Sequence, residues 1–204
     1  QLNDLLGHYL LILSACKLND AEEDEKIKII SYQYDRIFAI LHLQKAYVNN
    51  IIADLLYSIS DEIREIPAAQ ITAVFEKHLL AALTDIKDIS ITESFNYNYF
   101  KDVGYTDLPT RFNRYFFARI EHFICTETGS QMQQSFDNLV RNSGNVNGYH
   151  VEHILAHNPE NLLHFNNDEE VFERERNRLG GLLLLRGNSN QSSGSETYDE
   201  KLKT

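Results

Sequence analysis

Two short segments near the end of this 204-residue chain constrain its fold more than any other feature. Residues 149–161 read YHVEHILAHNPEN, and from Leu179 onward the chain reads LGGLLLLRGNSNQSSGSETYDEKL. The first segment holds an acid–histidine pair, and the second holds an apolar run, a polar turn rich in Asn and Ser, and a short amphipathic stretch. This order predicts a strand that ends in a loop, a second strand buried on both faces, and a closing helix.

The polar side chains of these segments have complementary chemistry. Glu152 offers a carboxylate oxygen to a hard divalent cation, His153 an imidazole that takes up a proton near neutral pH, and Asn190 a neutral amide oxygen. Asn188 is a close competitor for Asn190, which is equally suited to capping the closing helix. Adjacent strand residues point to opposite faces, so Glu152 and His153 act together only if the strand ends there, as the LAHNPEN loop suggests. The pattern predicts a one-metal site for phosphodiester hydrolysis.

The same segments resemble the C-terminal domain of GmrSD-type, modification-dependent restriction endonucleases, which are nucleases of the HNH or ββα-metal fold. That family shows an acid and a His followed by I-L-P, then L-G-N-L-x-L-L, an Asn-Ser turn, and an aromatic residue with E-K. The matching residues here are Glu152-His153-Ile154-Leu155, Leu179-Gly180-Gly181-Leu182, Asn190 and Tyr198-Asp199-Glu200-Lys201. The resemblance implies a metal-dependent DNA endonuclease of bacterial anti-phage defence.

The resemblance also implies the roles of individual residues. His153 stands where the family's general base stands, and it would activate a water for attack on a phosphodiester. Glu152 and Asn190 would hold the metal ion, Mg²⁺ or Mn²⁺. His150 and Arg186 are candidates for contact with the substrate phosphate.

Two positions depart from the family's pattern. Ala156 replaces the Pro after I-L, and we expect this change only to loosen the loop. Gly181 replaces the central Asn of L-G-N-L, a structural residue that in the family pins the loop behind the catalytic His. Because a displacement of an ångström can cost roughly a hundredfold in rate, the alternative is a weakened or inactive HNH-fold module for nucleic-acid or protein interaction. Asn177 and Asn158 are candidates to substitute for the missing Asn.

The first 140 residues are predicted to be helical, because apolar residues recur at spacings of three and four. The predicted helices are LNDLLGHYLLILSAC, residues 24–63 as one or two helices, ITAVFEKHLLAALTDI after Pro67, and TRFNRYFFARIEHFICTETG ended by Gly129. Residues 135–148, rich in Ser, Asn and Gly towards their end, predict a linker or turn. We therefore expect a mainly α protein, with an N-terminal helical bundle in residues 1–140 and a ββα-metal motif in residues 141–204.

Two groups of arginines leave alternatives open. The first group interleaves with aromatic residues, and it forms either a stacking and phosphate-binding strip or a set of cations extending past core aromatics. The second group lies between the two motif segments, and it either faces phosphates or pairs with neighbouring glutamates on a solvated helix predicted at 168–178. The first group is Arg111, Arg114 and Arg119, and the second is Arg174, Arg176, Arg178 and Arg186.

The charge of the chain argues against a stand-alone nucleic-acid binder. Thirty acidic and 19 basic side chains give a net charge of −11, whereas such a binder usually carries a basic face. The chain begins at Gln1 and its only methionine is Met132, which predicts a piece of a longer protein. The resemblance implies that the upstream part is a nucleotide-hydrolysing domain that licenses cleavage and supplies DNA affinity.

Compositional features predict a cytoplasmic protein with no membrane partner. No apolar run reaches the roughly 18 residues that a membrane span requires, and no signal peptide is visible. Cys16 and Cys125 are too few and too isolated for a disulfide framework or a structural zinc site, which fits a reducing compartment.

Overall fold

In a computed structural model of the protein, residues 6–142 and 148–186 are described. Across these residues eight α-helices and one two-stranded antiparallel sheet are present, so the prediction of a mainly α protein is confirmed. The chain divides into two compact units, the first reaching Phe100 and the second beginning at Lys101. None of the described helices is both long and apolar enough to cross a lipid bilayer.

The first unit is a helical bundle. Its helices are α1 (Gly7–Ala15), α2 (Glu23–Leu43), α3 (Asn49–Glu62) and α4 (Ala68–Lys87). α2 packs against α1 and α4, and α3 also packs against α1 and α4, so all four helices surround one core. That core contains fully buried aliphatic and aromatic side chains, among them Leu41, Ile59 and Phe75.

Local chemistry explains the helix boundaries of this bundle. α2 begins with three acidic residues, which favour the positive end of the helix dipole. The long periodic segment from residue 24 to residue 63 forms two helices, because the chain turns at Lys45, whose φ is 55°. α4 begins directly after Pro67, as predicted from the fixed φ of proline.

The second unit contains the remaining elements. In chain order these are α5 (Thr110–Thr128), α6 (Phe136–Arg141), β1 (Tyr149–His153), α7 (Pro159–Leu163), α8 (Glu169–Arg176), a 3₁₀ turn (Leu179–Gly181) and β2 (Leu182–Arg186). α5 ends where Gly129 adopts a left-handed conformation with φ 66°, so the predicted stop at this glycine is confirmed. The two strands and α8 also lie where the sequence predicted them.

β1 and β2 form an antiparallel pair whose register aligns the two motif segments. His153 lies opposite Leu182, Glu152 opposite Leu183, and Tyr149 opposite Arg186. The pairing continues one step further, where the amide of Ile154 donates to the carbonyl of Gly181 (2.9 Å). The two strands are therefore joined by a long connection that contains α7 and α8 instead of a tight turn.

α5 packs against both strands and against α6. This packing explains why α5 and α6 belong to the same compact unit as the strand pair, which begins at Lys101. A helical domain of residues 1–140 and a nuclease domain of residues 141–204 remain a prediction about how the chain folds and functions.

Three details differ from the sequence-based expectations. The segment predicted as a linker begins with α6, whose first amide groups are capped by the Ser135 side chain. α7 begins within the LAHNPEN loop and is capped by Asn158. β2 is not buried on both faces: Leu182 is buried, but Leu183 to Leu185 are half-buried, because a sheet of two strands offers too little cover. The predicted closing helix lies outside the described residues.

We expect the core position Phe172 to stabilise the connection between the strands. The Phe172 ring is fully buried, and its centroid lies 5.2 Å from the centroid of the Phe165 ring. The guanidinium carbon of Arg176 lies 5.6 Å from the Phe172 ring centroid. Phe172→Ala should destabilise the protein by about 3–5 kcal/mol, since it removes buried contacts and leaves a cavity. Urea denaturation followed by circular dichroism measures the change.

The matched control is Phe123→Ala on α5, where the ring is 63% exposed and the effect should stay within about 0.5 kcal/mol. Equal effects of both variants would contradict the assigned core.

Candidate active site

The candidate general base His153 is held by one side chain from the connection between the strands. Nε2 of His153 lies 2.8 Å from Oδ1 of Asn177, the residue that ends α8. Both residues are half-buried. Asn177 thus contacts the candidate base directly, a role that the sequence left open between Asn177 and Asn158.

The partners of Asn177 determine which way its amide points. Nδ2 of Asn177 donates to the backbone carbonyl of Glu173 (2.7 Å) and to Oε2 of the same residue (3.1 Å). Both of these atoms are acceptors, so the NH₂ group faces Glu173 and Oδ1 faces the imidazole. Oδ1 can only accept, and His153 therefore donates its Nε2 proton. In the neutral ring the basic nitrogen is Nδ1.

The backbone around Asn177 is fixed from a second direction. The amide of Tyr105 donates to the carbonyl of Asn177 (2.7 Å), and Gly104 forms an isolated antiparallel bridge with Arg178. The Tyr105 ring stands edge-on to the imidazole, with ring centroids 5.8 Å apart. The loop before α5 thus holds both Asn177 and His153. The sequence did not predict the role of Tyr105, because no local pattern links this residue to His153, which follows much later in the chain.

The Asn expected at position 181 has no room in this backbone. A Cβ atom built on Gly181 would lie 2.8 Å from the carbonyl oxygen of Arg176 and 3.3 Å from that of Glu175. Both are backbone atoms and cannot move aside cheaply. The position expected to weaken the site is therefore a close approach of two backbone segments that favours glycine, while Asn177 makes the contact with the histidine.

The candidate metal ligand Glu152 lies on a cavity of about 400 Å³. This cavity, hereafter the β1–α5 cavity, is lined by Tyr105, Thr110, Arg114, Tyr149, His150, Val151 and Glu152. Glu152 and the predicted substrate-binding residue His150 are two apart in β1, so they share one face of the strand. The structure thus brings together a carboxylate, an imidazole and a guanidinium on one cavity.

β1 ends at His153, as the LAHNPEN loop suggested, and this last residue of the strand is paired with Leu182. The strand contributes four consecutive residues, 149–152, to the lining of the β1–α5 cavity, so the lining is not restricted to one strand face. His153 follows directly after them and does not itself line the cavity. Tyr105 links the two, because it lines the cavity and also contacts the imidazole.

Three of the four arginines between the motif segments are engaged in ion pairs with neighbouring glutamates, as the structural alternative predicted. Arg174 lies 3.0 Å from Glu175, Arg176 lies 3.0 Å from Glu173, and Arg178 lies 3.1 Å from Glu175. Nε of Arg176 also donates to the carbonyl of Leu155 (3.1 Å). These cations hold the connection together. In α5, likewise, Phe112, Tyr115 and Phe117 are buried core residues.

The position of one predicted site residue and the side chain of another lie outside the described part of the structure. Asn190, the proposed second metal ligand, and its competitor Asn188 lie outside the described residues. The backbone of Arg186 ends β2, but its side chain is not described. The meeting of Glu152 with Asn190 at one cation therefore stays a prediction.

Glu152 is the one predicted metal ligand within the described part of the chain, and its carboxylate oxygen is a donor that Mg²⁺ could use. Within residues 6–142 and 148–186 no three His, Cys, Asp or Glu side chains cluster as a metal cage would require. Mg²⁺ is usually held by one or two carboxylates together with substrate phosphates and water, so a single carboxylate on a cavity fits it. Glu152 is that carboxylate.

Comparison with known families agrees with the resemblance found in the sequence. The family described as GmrSD restriction endonucleases, C-terminal domain, matches residues 94–204, just over half of the chain. No match was found among curated proteins or among solved structures. The chain therefore belongs to the GmrSD restriction endonuclease C-terminal domain family, and the match covers the whole second unit. Membership indicates a restriction-endonuclease-related nuclease function.

The hydrogen bond to Asn177 should make the Nε2 proton of His153 observable. We expect a slowly exchanging imidazole N–H signal in ¹H–¹⁵N NMR spectra, because a half-buried, hydrogen-bonded proton is protected from solvent. Asn177→Ala should abolish the signal. The exposed His164 serves as internal control, since its ring protons should exchange too fast to be seen. Persistence of the His153 signal in Asn177→Ala would refute the assignment.

The adjacent glycines provide a matched test of the close approach at Gly181. Gly181→Ala should destabilise the protein by about 1–3 kcal/mol, because the new Cβ atom meets backbone. Gly180→Ala should change stability by no more than about 1 kcal/mol, since nothing lies within 4 Å of its Cβ position. The entropic effect of replacing glycine is common to both variants, so their difference in urea denaturation isolates the clash. Equal stability of the two would show that the backbone relaxes at no cost.

Proposed function

We propose that this chain is the nuclease part of a bacterial anti-phage restriction protein, an HNH-type endonuclease that hydrolyses DNA phosphodiester bonds with Mg²⁺ or Mn²⁺. The observation that carries the proposal is the hydrogen bond between His153 and Asn177 in a strand pair of this family. It orients an imidazole one residue away from a carboxylate on a cavity. General bases are recognised by this combination of reach and orientation.

His153 is the proposed general base. With its Nε2 proton directed at Asn177, the ring accepts the proton of a water molecule at Nδ1. The resulting hydroxide oxygen forms a bond to phosphorus while the bond from phosphorus to the opposite ester oxygen breaks, and the leaving oxygen takes a proton from solvent. The products are a phosphate monoester and a hydroxyl group.

Asn177 and Glu173 support the protonated form of that base. When His153 gains a proton it becomes a cation, and Oδ1 of Asn177 accepts a stronger hydrogen bond from it. The carboxylate of Glu173 accepts from the opposite end of the same amide (3.1 Å) and so polarises Oδ1. Arg176 holds Glu173 in place through two contacts of 3.0 and 3.1 Å. Asn177 is thus a positioning residue.

Glu152 is the proposed metal ligand, and Asn190 is proposed to complete the protein's share of the coordination. When bound there, Mg²⁺ or Mn²⁺ would stabilise negative charge on the scissile phosphate and the leaving oxygen. His150 and Arg186 are proposed to contact the substrate, His150 from the same strand face as Glu152.

The proposed substrate and partner follow from the family and the charge. A restriction endonuclease domain acts on DNA, yet this chain carries a net charge of −11. Most DNA affinity is therefore proposed to reside in an upstream nucleotide-hydrolysing domain of the same protein, which licenses cleavage. The site of action would be the cytoplasm, where incoming DNA is met.

The alternative, a catalytically weakened interaction module, arose from Gly181. Asn177 weakens this argument, because it gives His153 an oriented partner without any side chain at position 181. Metal titration separates the two functions. An active site should bind Mn²⁺ and lose that binding in Glu152→Gln, whereas an interaction module need bind none.

Nicking of supercoiled plasmid DNA tests the proposal. With Mg²⁺ or Mn²⁺ we expect open-circular product, and His153→Ala should lower the rate by about a hundred- to ten-thousand-fold, since it removes the general base. Chelation of the metal with EDTA should abolish cleavage. The assay is run with this chain and with the full-length protein that carries the proposed upstream domain.

His164→Ala is the matched control, because this histidine is exposed in the same connection and belongs to no part of the proposed mechanism. It should nick at the wild-type rate. The proposal fails if neither protein nicks plasmid with either metal, or if His153→Ala is as active as His164→Ala.

A further inference from the structure

Arg114 is the one arginine of the β1–α5 cavity in the described part of the chain. It lies in α5, one turn after Thr110, and both residues line the cavity opposite the strand that carries His150 and Glu152. The sequence left its group of arginines undecided between phosphate binding and core packing. Its position on this cavity distinguishes it from Arg119, which is exposed.

The guanidinium of Arg114 is incompletely satisfied. Its Nε and Nη1 atoms are buried, and neither has a hydrogen-bond partner within the described residues. An arginine remains protonated in proteins, and buried N–H groups of a guanidinium that lack acceptors are unfavourable. Such an atom in a native structure calls for an explanation, and an anionic ligand is one of few that offsets a positive charge.

The three described arginines of the connection between the strands differ from Arg114 in having carboxylate partners, although Nε of Arg178 is also buried without a hydrogen-bond partner among the described residues. Arg174, Arg176 and Arg178 each lie within 4 Å of a carboxylate. They are held by the protein's own acids, so their charge is already balanced. Arg114 therefore has the strongest need for an external anion among these four.

The neighbours of Arg114 restrict what kind of anion fits. Glu152 is on the same cavity, and its negative charge repels an anion unless a cation neutralises it. The anion must therefore bind a guanidinium and a cation at the same time. A phosphodiester can do so, because one of its oxygens can face the guanidinium while another faces a divalent cation held by the carboxylate. The planar guanidinium is well matched to phosphate oxygens.

From these observations we infer that Arg114 binds a phosphodiester group of the nucleic-acid strand in the β1–α5 cavity. The inference rests on the proposed nuclease function and adds to it the residue that holds the substrate phosphate beside Glu152. Arg114 reaches the phosphate by turning its guanidinium towards the cavity, which gives the buried nitrogens their missing acceptors. The bound phosphate is thereby presented to the strand that carries His153.

The test uses a minimal phosphodiester, the dinucleotide thymidylyl-thymidine, in NMR titrations with EDTA and again with Ca²⁺. The Nε–H signal of Arg114 is observable because the atom is protected from solvent, and its absence in Arg114→Lys identifies it. We expect this signal to shift saturably with the dinucleotide, and the Nε–H signal of Arg176, which is hydrogen-bonded to the carbonyl of Leu155 away from the cavity lining, to stay in place. An Arg114 signal that does not move under either condition, or moves no more than that of Arg176, overturns the inference.

Two matched variants on α5 extend the test. Arg114→Gln should weaken dinucleotide binding by roughly ten- to a hundredfold, the loss expected for charged hydrogen bonds, whereas Arg119→Gln removes the same charge and should leave binding unchanged. Circular dichroism melting confirms that both fold. If Arg114→Gln is misfolded, the titration of the wild-type protein still decides the question.

The outcomes separate this inference from the proposed function. Dinucleotide binding at Arg114 without plasmid nicking supports the phosphate site and rejects the nuclease. Nicking that depends on His153 while the Arg114 signal stays unmoved rejects the phosphate site alone.

Discussion

The hydrogen bond from His153 to Asn177 is the constraint on which the rest of the site depends. It joins the end of β1 to the end of α8, two positions separated by the whole connection between the strands. Three other features accompany the bond: α8 ends at Asn177, the chain passes close to α8 at Gly181, and the amide of Tyr105 donates to the carbonyl of Asn177. The long connection is therefore a scaffold for one imidazole.

The packing of that connection explains why it tolerates so many charges. Phe172 anchors α8 in the interior, and the acidic and basic residues on its outer side pair with one another. These pairs are half-buried and still reached by solvent, so each contributes little to stability and the buried ring contributes more. What the pairs do provide is position, since Glu173 binds the amide of Asn177 and Arg176 binds Glu173.

The glycine at position 181 shows how a family pattern and a structure can assign one role to different residues. By the family pattern, Gly181 means the loss of a structural side chain, because its counterpart in the family is an Asn that pins the loop behind the histidine. In this backbone an added Cβ atom would meet the Arg176 carbonyl. Asn177 lies at the C-terminal end of α8, where its side chain bonds both α8 and the imidazole. The chain thus retains an asparagine beside the histidine at a different place in the sequence.

The sequence by itself determined the helices, the two strands and the acid–histidine pair, because these follow from local periodicity, turn chemistry and adjacency. It also determined the family, since the residues of the family motif are present in the expected order. Only the tertiary structure decided that Asn177 binds His153, that Tyr105 holds both, that Arg114 joins Glu152 on one cavity, and that β1 continues through His153. These facts depend on distances between residues far apart in the chain, which packing sets and no local pattern encodes.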